Sequence, residues 1–142
     1  KWALQKNDPD LWYKYNLEHQ DILVTRNDET FKRRLDRYKY HIRYPERSFE
    51  EYRSDVSEIL NEYNALLDSD SYMFGETICF TDIAVMPFVR QCAHVDLNWF
   101  NTNFPDLAKW LKNLKESELF KSIMPKYDLW VEGEMGTLVT WT

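Results

Sequence analysis

The stretch Phe74-Gly75-Glu76-Thr77-Ile78-Cys79-Phe80-Thr81-Asp82-Ile83-Ala84-Val85-Met86-Pro87-Phe88-Val89-Arg90-Gln91 decides the fold. It reads as a glycine turn feeding directly into a helix. Cys79 stands at the N-cap and Asp82 at the third helical position. There a carboxyl group can accept orphaned backbone N–H groups and suits the positive end of the helix dipole. Ile78 before the cap and Ile83 after it have the spacing of a hydrophobic staple. A thiol is a weak acceptor, so the cap at Cys79 is expected to be poorer than a Ser or Thr cap by about 1 kcal/mol. Beyond the cap, Val85, Met86, Phe88, Val89, Cys92 and Ala93 leave almost no polar face. A helix apolar on most sides is one surrounded by others. Pro87 within it removes one backbone bond and predicts a kink.

Working outward, the flanking segments also carry the helical period. Helix is expected from about Leu17 to Ile42, with an irregular turn at Asn27-Asp28-Glu29. After that turn Phe31, Leu35, Tyr38 and Ile42 recur at helical spacing. Pro45 ends the stretch by pushing Tyr44 out of the helical region. Ser48 and Glu51 form a capping box, followed by an apolar stripe of Tyr52, Val56, Ile59, Leu60, Tyr63, Leu66 and Leu67. Pro105 opens a helix with Leu107, Trp110, Leu111 and Leu114 inward, and Ser117 starts a short last one. Only 3 Gly and 5 Pro in 142 residues leave little turn chemistry for a many-stranded sheet. The fold class is therefore all-α, a bundle of about five main helices.

Composition narrows the function classes. Hydrophobic residues make up 44% and aromatics 16%, enough for a packed core without disulfides or metals. The formal net charge of −6 argues against nonspecific nucleic-acid binding, which needs Lys and Arg to neutralise phosphates. Within these residues no stretch reads as a signal peptide or as a membrane-length apolar run. Cys79 and Cys92 have neither metal nor redox spacing, and read as buried reduced thiols of a cytoplasmic protein. His19, His41 and His94 stand apart, in no metal-ligating spacing, so no metal is expected. Three glycines cannot build a phosphate cradle, and no nucleophile elbow occurs. Asp82, acidic and expected to be buried, reads as a structural cap rather than a catalyst.

The turn and helix at 75–87 resemble the signature of the helical C-terminal domain of glutathione S-transferases. Gly75, Asp82, Ile83, Ala84 and Pro87 fit it, while Cys79 departs from its usual Ser or Thr. Leu35-Asp36-Arg37-Tyr38-Lys39-Tyr40, Arg43-Tyr44-Pro45, Asn98-Trp99-Phe100, Phe104 to Leu111 and Lys126-Tyr127 resemble a bacterial branch of that family. The resemblance implies that residues 1–15 are a stub and linker from a thioredoxin-like domain absent from the chain. It implies a helical domain at 16–130 and a tail at 131–142. It also implies that glutathione and the catalytic Cys, Ser or Tyr belong to the absent domain, so no catalytic residue is expected in this chain. The first long helix would line the pocket for a small hydrophobic electrophile or a disulfide, with Phe31, Arg34, Leu35 and Tyr38 as candidates. Core packing explains the same apolar spacing, since apolar residues at helical spacing usually face a core. The full-length protein would be a homodimer acting in detoxification. It would transfer glutathione to electrophiles or exchange thiols and disulfides. The rival reading is a non-catalytic helical interaction module.

Overall fold

Residues 1–133 and 135–138 are described by the structure, a computed structural model. Seven α-helices lie among them: α1 Leu17–Arg26, α2 Lys32–Lys39, α3 Phe49–Ala65, α4 Phe80–Ala93, α5 Leu97–Asn103, α6 Pro105–Glu116 and α7 Glu118–Ser122. The expected break at Asn27 is a π-helical turn, Asn27–Phe31, that joins α1 to α2 without leaving the helical path. The extra residue of a π-turn rotates the following face, and both ends of the turn, Asn27 and Phe31, are buried. A 3-10 turn, His41–Arg43, follows α2, so the α-helix stops at Lys39, before the expected Ile42. Among the described residues no strand forms. One isolated bridge pairs Tyr72 with Gly75. Gly75 closes that turn at φ +126, a conformation that side chains with a Cβ rarely adopt.

Helix α4 is central, as its all-round apolar pattern predicts: it packs against α1, α2, α5 and α6. Val85, Val89, Cys92 and Ala93 are fully enclosed. Helix α3 lies between α2 and α6 and buries Tyr52, Val56, Ile59, Leu60 and Tyr63 of the predicted stripe; Leu66 is its half-buried C-cap, and Leu67 is buried just beyond the helix. Its capping box is complete: Ser48 Oγ accepts from Glu51 N at 3.2 Å, and Glu51 Oε2 accepts from Ser48 N at 2.8 Å.

Two long-range polar contacts fix how the helices meet. Helix α6 begins at Phe104-Pro105, which offers no capping side chain. Asn64 on α3 supplies the missing acceptor: its Oδ1 takes Asp106 N at 3.1 Å and Leu107 N at 3.0 Å. Gln20 on α1 is buried, donates to Tyr15 O at 2.8 Å and accepts from Thr81 N at 3.1 Å. It thereby ties the segment before α1 to the start of α4, where Phe80 N also donates to Trp12 O at 2.9 Å.

Residues 2–6 form consecutive turns, with Gln5 N donating to Lys1 O and Asn7 N to Ala3 O, both at 3.0 Å. Trp2 is 70% exposed. Of the tail expected over residues 131–142, Glu134 and 139–142 lie outside the described residues, and the described part has no helix or strand.

Candidate functional site

Asp82 is the polar centre of the domain. It is wholly buried, and both oxygens are saturated. Oδ1 accepts from Met73 N at 3.0 Å and Trp110 Nε1 at 2.8 Å. Oδ2 accepts from Cys79 N at 2.9 Å. The Cys79 thiol donates to the same Oδ2 with Sγ at 3.0 Å. The thiol thus donates to the carboxyl group while also facing the Asp82 backbone N–H as the weak acceptor of the capping box, as the sequence leads one to expect. One carboxyl group joins the 68–79 loop, the start of α4 and the face of α6. With every lone pair engaged by the protein and no water access, the arrangement holds structure and offers nothing to a substrate. Ile78 and Ile83 occupy N′ and N4 of the same helix start. Ile78 packs on the core, and the side chain of Ile83 is half-buried.

The four residues proposed from the sequence to touch a co-substrate separate in space. Phe31, Leu35 and Tyr38 are 0%, 4% and 0% exposed and belong to the central cluster. Phe31 meets the Tyr63 ring edge-on at 5.7 Å, and Tyr38 stacks on Phe49 at 5.1 Å. Core packing, the second reading of that spacing, is the one their burial supports. Arg34 stays at the surface, donating to Asp55 O and to the Glu58 carboxylate, each at 2.6 Å.

The open apolar surface lies elsewhere. A cleft of about 230 Å³ runs between α4, α6 and α7, lined chiefly by Trp12, Ile83, Met86, Pro87, Leu114 and Phe120. Its polar side-chain groups are the Trp12 indole N–H and the Ser117 hydroxyl, whose Oγ is already committed to Leu114 O at 2.7 Å and to Phe120 N at 3.2 Å. Small-molecule sites usually place a few convergent polar groups to orient the ligand. Two such groups, one of them already engaged, are no convergent set, which suits a packing surface. Periodicity could not show it, because Trp12 and Phe120 come from segments far apart in the chain.

Both cysteines are free and buried. Burial, and then the neighbouring Asp82 carboxyl, push the Cys79 thiol up to about 12, and burial alone pushes Cys92 up to about 12. Only the thiolate attacks. Both thiols are therefore expected to resist a thiol reagent at neutral pH and to react once urea unfolds the chain; rapid labelling of the native protein would refute this. Because both folded values lie above the ordinary 9.0, the unfolded chain loses these protons first. Stability is intact below pH 9 and falls as pH rises from 9 towards 12. Among the described residues no group of three or more His, Cys, Asp or Glu side chains could hold a metal. No helix there is long and apolar enough to cross a membrane.

Residues 16–118 match the family described as glutathione S-transferase, C-terminal domain. The chain belongs to the glutathione S-transferase family through this helical domain. The match begins at the N-cap of α1 and ends at the first residue of α7, so it covers the core just described. No curated protein sequence matches the chain. Among solved structures it is similar to a glutathione S-transferase-I bound with the ligand lactoylglutathione, with TM-score 0.66 and 16% identity. The alignment covers 85% of this chain but only 63% of that one. At this identity the likeness establishes the all-α fold. The turn at Gly75, the Asp82 cap and the enclosed α4 are thus features of a glutathione S-transferase C-terminal domain in this chain.

Proposed function

We propose that this chain is the helical part of a longer, cytoplasmic glutathione S-transferase-like protein of a bacterial branch. Residues 1–15 would link it to a thioredoxin-like domain that binds glutathione and carries the catalytic Cys, Ser or Tyr. The whole protein, a homodimer, transfers glutathione to small hydrophobic electrophiles or exchanges thiols and disulfides, a role in detoxification. The observation that carries this reading is the family match over residues 16–118. The structural neighbour's bound glutathione conjugate is compatible with it.

In this reading the α4–α6–α7 cleft is the face that the rest of the protein covers, and it contributes the hydrophobic side of the active-site region. Phe31, Leu35 and Tyr38 contribute from behind, by holding the α1–α2 rod in place. On this reading the described residues supply no thiolate and no polar cradle for glutathione. The test compares the full-length gene product with this 142-residue chain on immobilised glutathione, followed by assays of transfer to an aryl halide and of disulfide reduction. The full-length protein is expected to be retained and active, and the chain to pass through. Failure of the full-length protein in all three assays overturns the reading.

A second reading, the non-catalytic interaction module, is favoured by one observation: a concentration of unpaired positive charge at the end of α2.

A further inference from the structure

Charge is strongly segregated in this chain. Residues 32–47 hold seven Lys and Arg against Asp36 and Glu46, a net of +5 inside a chain of net −6, leaving −11 for all other residues. Lys32, Arg34 and Arg47 are paired with carboxylates. Among the described residues, Arg33, Arg37, Lys39 and Arg43 have no carboxylate partner. Helix spacing puts Arg33, Arg37 and Tyr40 on one face, opposite the buried Leu35 and Tyr38. The helix dipole accounts for cations in the last turn of α2, where Arg37 and Lys39 sit. Arg33 and Arg43 lie outside that turn, so the dipole does not explain them.

Three of these cations, Arg37, Lys39 and Arg43, rest against aromatic rings. The Arg43 guanidinium lies 4.7 Å from the centre of the Tyr40 ring, Lys39 Nζ lies 4.9 Å from the same ring, and Arg37 lies 5.9 Å from the Tyr44 ring. Lys39 Nζ also donates to Gln91 Oε1 at 3.1 Å. The one carboxylate within the face, Asp36, is engaged by the Tyr44 hydroxyl at 2.7 Å. Beside the cations, Ile42 is 85% exposed. A guanidinium resting on a ring keeps its N–H edge free for a planar two-bond contact with a carboxylate. Its orientation is set before binding, which lowers the ordering cost.

We propose that this corner of α2 and the 3-10 turn is a docking surface for an acidic polypeptide segment, one whose carboxylates flank an apolar side chain seated on Ile42. The strongly negative remainder of the chain favours a short acidic peptide over nucleic acid, since a long polyanion would have to run across surface of its own sign. The inference stands independently of the glutathione reading.

The test is amide-resolved NMR titration of the full chain with the octapeptide Glu-Glu-Leu-Glu-Glu-Leu-Glu-Glu, with its Gln-for-Glu counterpart, and with single-stranded DNA of eight nucleotides. The acidic peptide is expected to shift resonances at 33–43, more tightly than the Gln peptide or the DNA, and to weaken as salt rises. Arg37→Glu combined with Arg43→Glu should weaken it about tenfold or more. Lys112→Glu with Lys115→Glu, the same charge change on α6, should leave it within about twofold, since those sites are remote from the contact. The proposal is overturned by absent or dispersed shifts, by equal weakening in both double variants, or by tighter binding of the DNA. Thermal melts of the variants separate lost binding from lost folding.

Discussion

Asp82→Ala is expected to destabilise the domain by about 4 kcal/mol or more, the largest effect of any single polar substitution in it. The change strands three buried N–H donors at once: Met73 N, Cys79 N and Trp110 Nε1. Each buried donor left without a partner costs roughly 1–3 kcal/mol. The loss of the helix cap alone, about 1 kcal/mol, is the smaller part. For a domain of this size that corresponds to a fall in melting temperature of roughly 10 °C or more. Asp82→Asn keeps one acceptor but turns an amide N–H₂ towards donors, so it should recover only part of the loss. Trp110→Phe removes one donor together with its claim on Oδ1 and should be the mildest of the three. Urea unfolding of the three variants checks the order. An Asp82→Ala protein melting within about 2 °C of the parent would show that the carboxyl group is no hub.

The parts of this fold that were legible in the sequence are those governed by local rules. Ser48 and Glu51, three residues apart, announce the start of α3; Gly75, Ile78 and Asp82 announce the start of α4. The apolar stripes of α3 and α6 gave their buried faces directly, and the composition of α4 gave its central place. The features that escaped depend on partners distant in the chain. Nothing near Gln20 shows that its amide is buried against Thr81, and nothing near Phe104 shows that Asn64 caps α6. Helix α5 was missed because Leu97–Asn103 carries three Asn and a Thr, poor helix formers, and is started by the Asp96 side chain on Trp99 N at 2.9 Å. Asp96 in turn is held by Arg53 at 3.0 Å, whose guanidinium lies 4.6 Å from Phe49 and 4.9 Å from Trp99. The candidate site suffered from a deeper ambiguity. Apolar residues at helical spacing report that a face is covered, and they do not say whether protein or ligand covers it.

Tyr38 separates those two meanings most cleanly. Tyr38→Ala should cost about 3–5 kcal/mol, the range for emptying a large aromatic site in a core, because the ring is fully enclosed between Phe49 and Trp99. Tyr38→Phe should behave in the opposite way. The hydroxyl is buried and makes no well-formed hydrogen bond; the Arg53 guanidinium lies near it, but burial outweighs that charge and holds the proton more firmly than in an exposed tyrosine. A polar group desolvated without a partner is a net cost. Its removal is therefore expected to leave stability unchanged or raise it by about 1 kcal/mol. In the full-length protein the same substitution should leave KM for the electrophile unaltered if Tyr38 only positions the α1–α2 rod. A hydroxyl that turns towards a bound co-substrate would instead raise KM on Tyr38→Phe while stability held. Measuring the melting temperature of the chain and the KM of the whole protein for this one variant therefore decides between a core residue and a pocket residue.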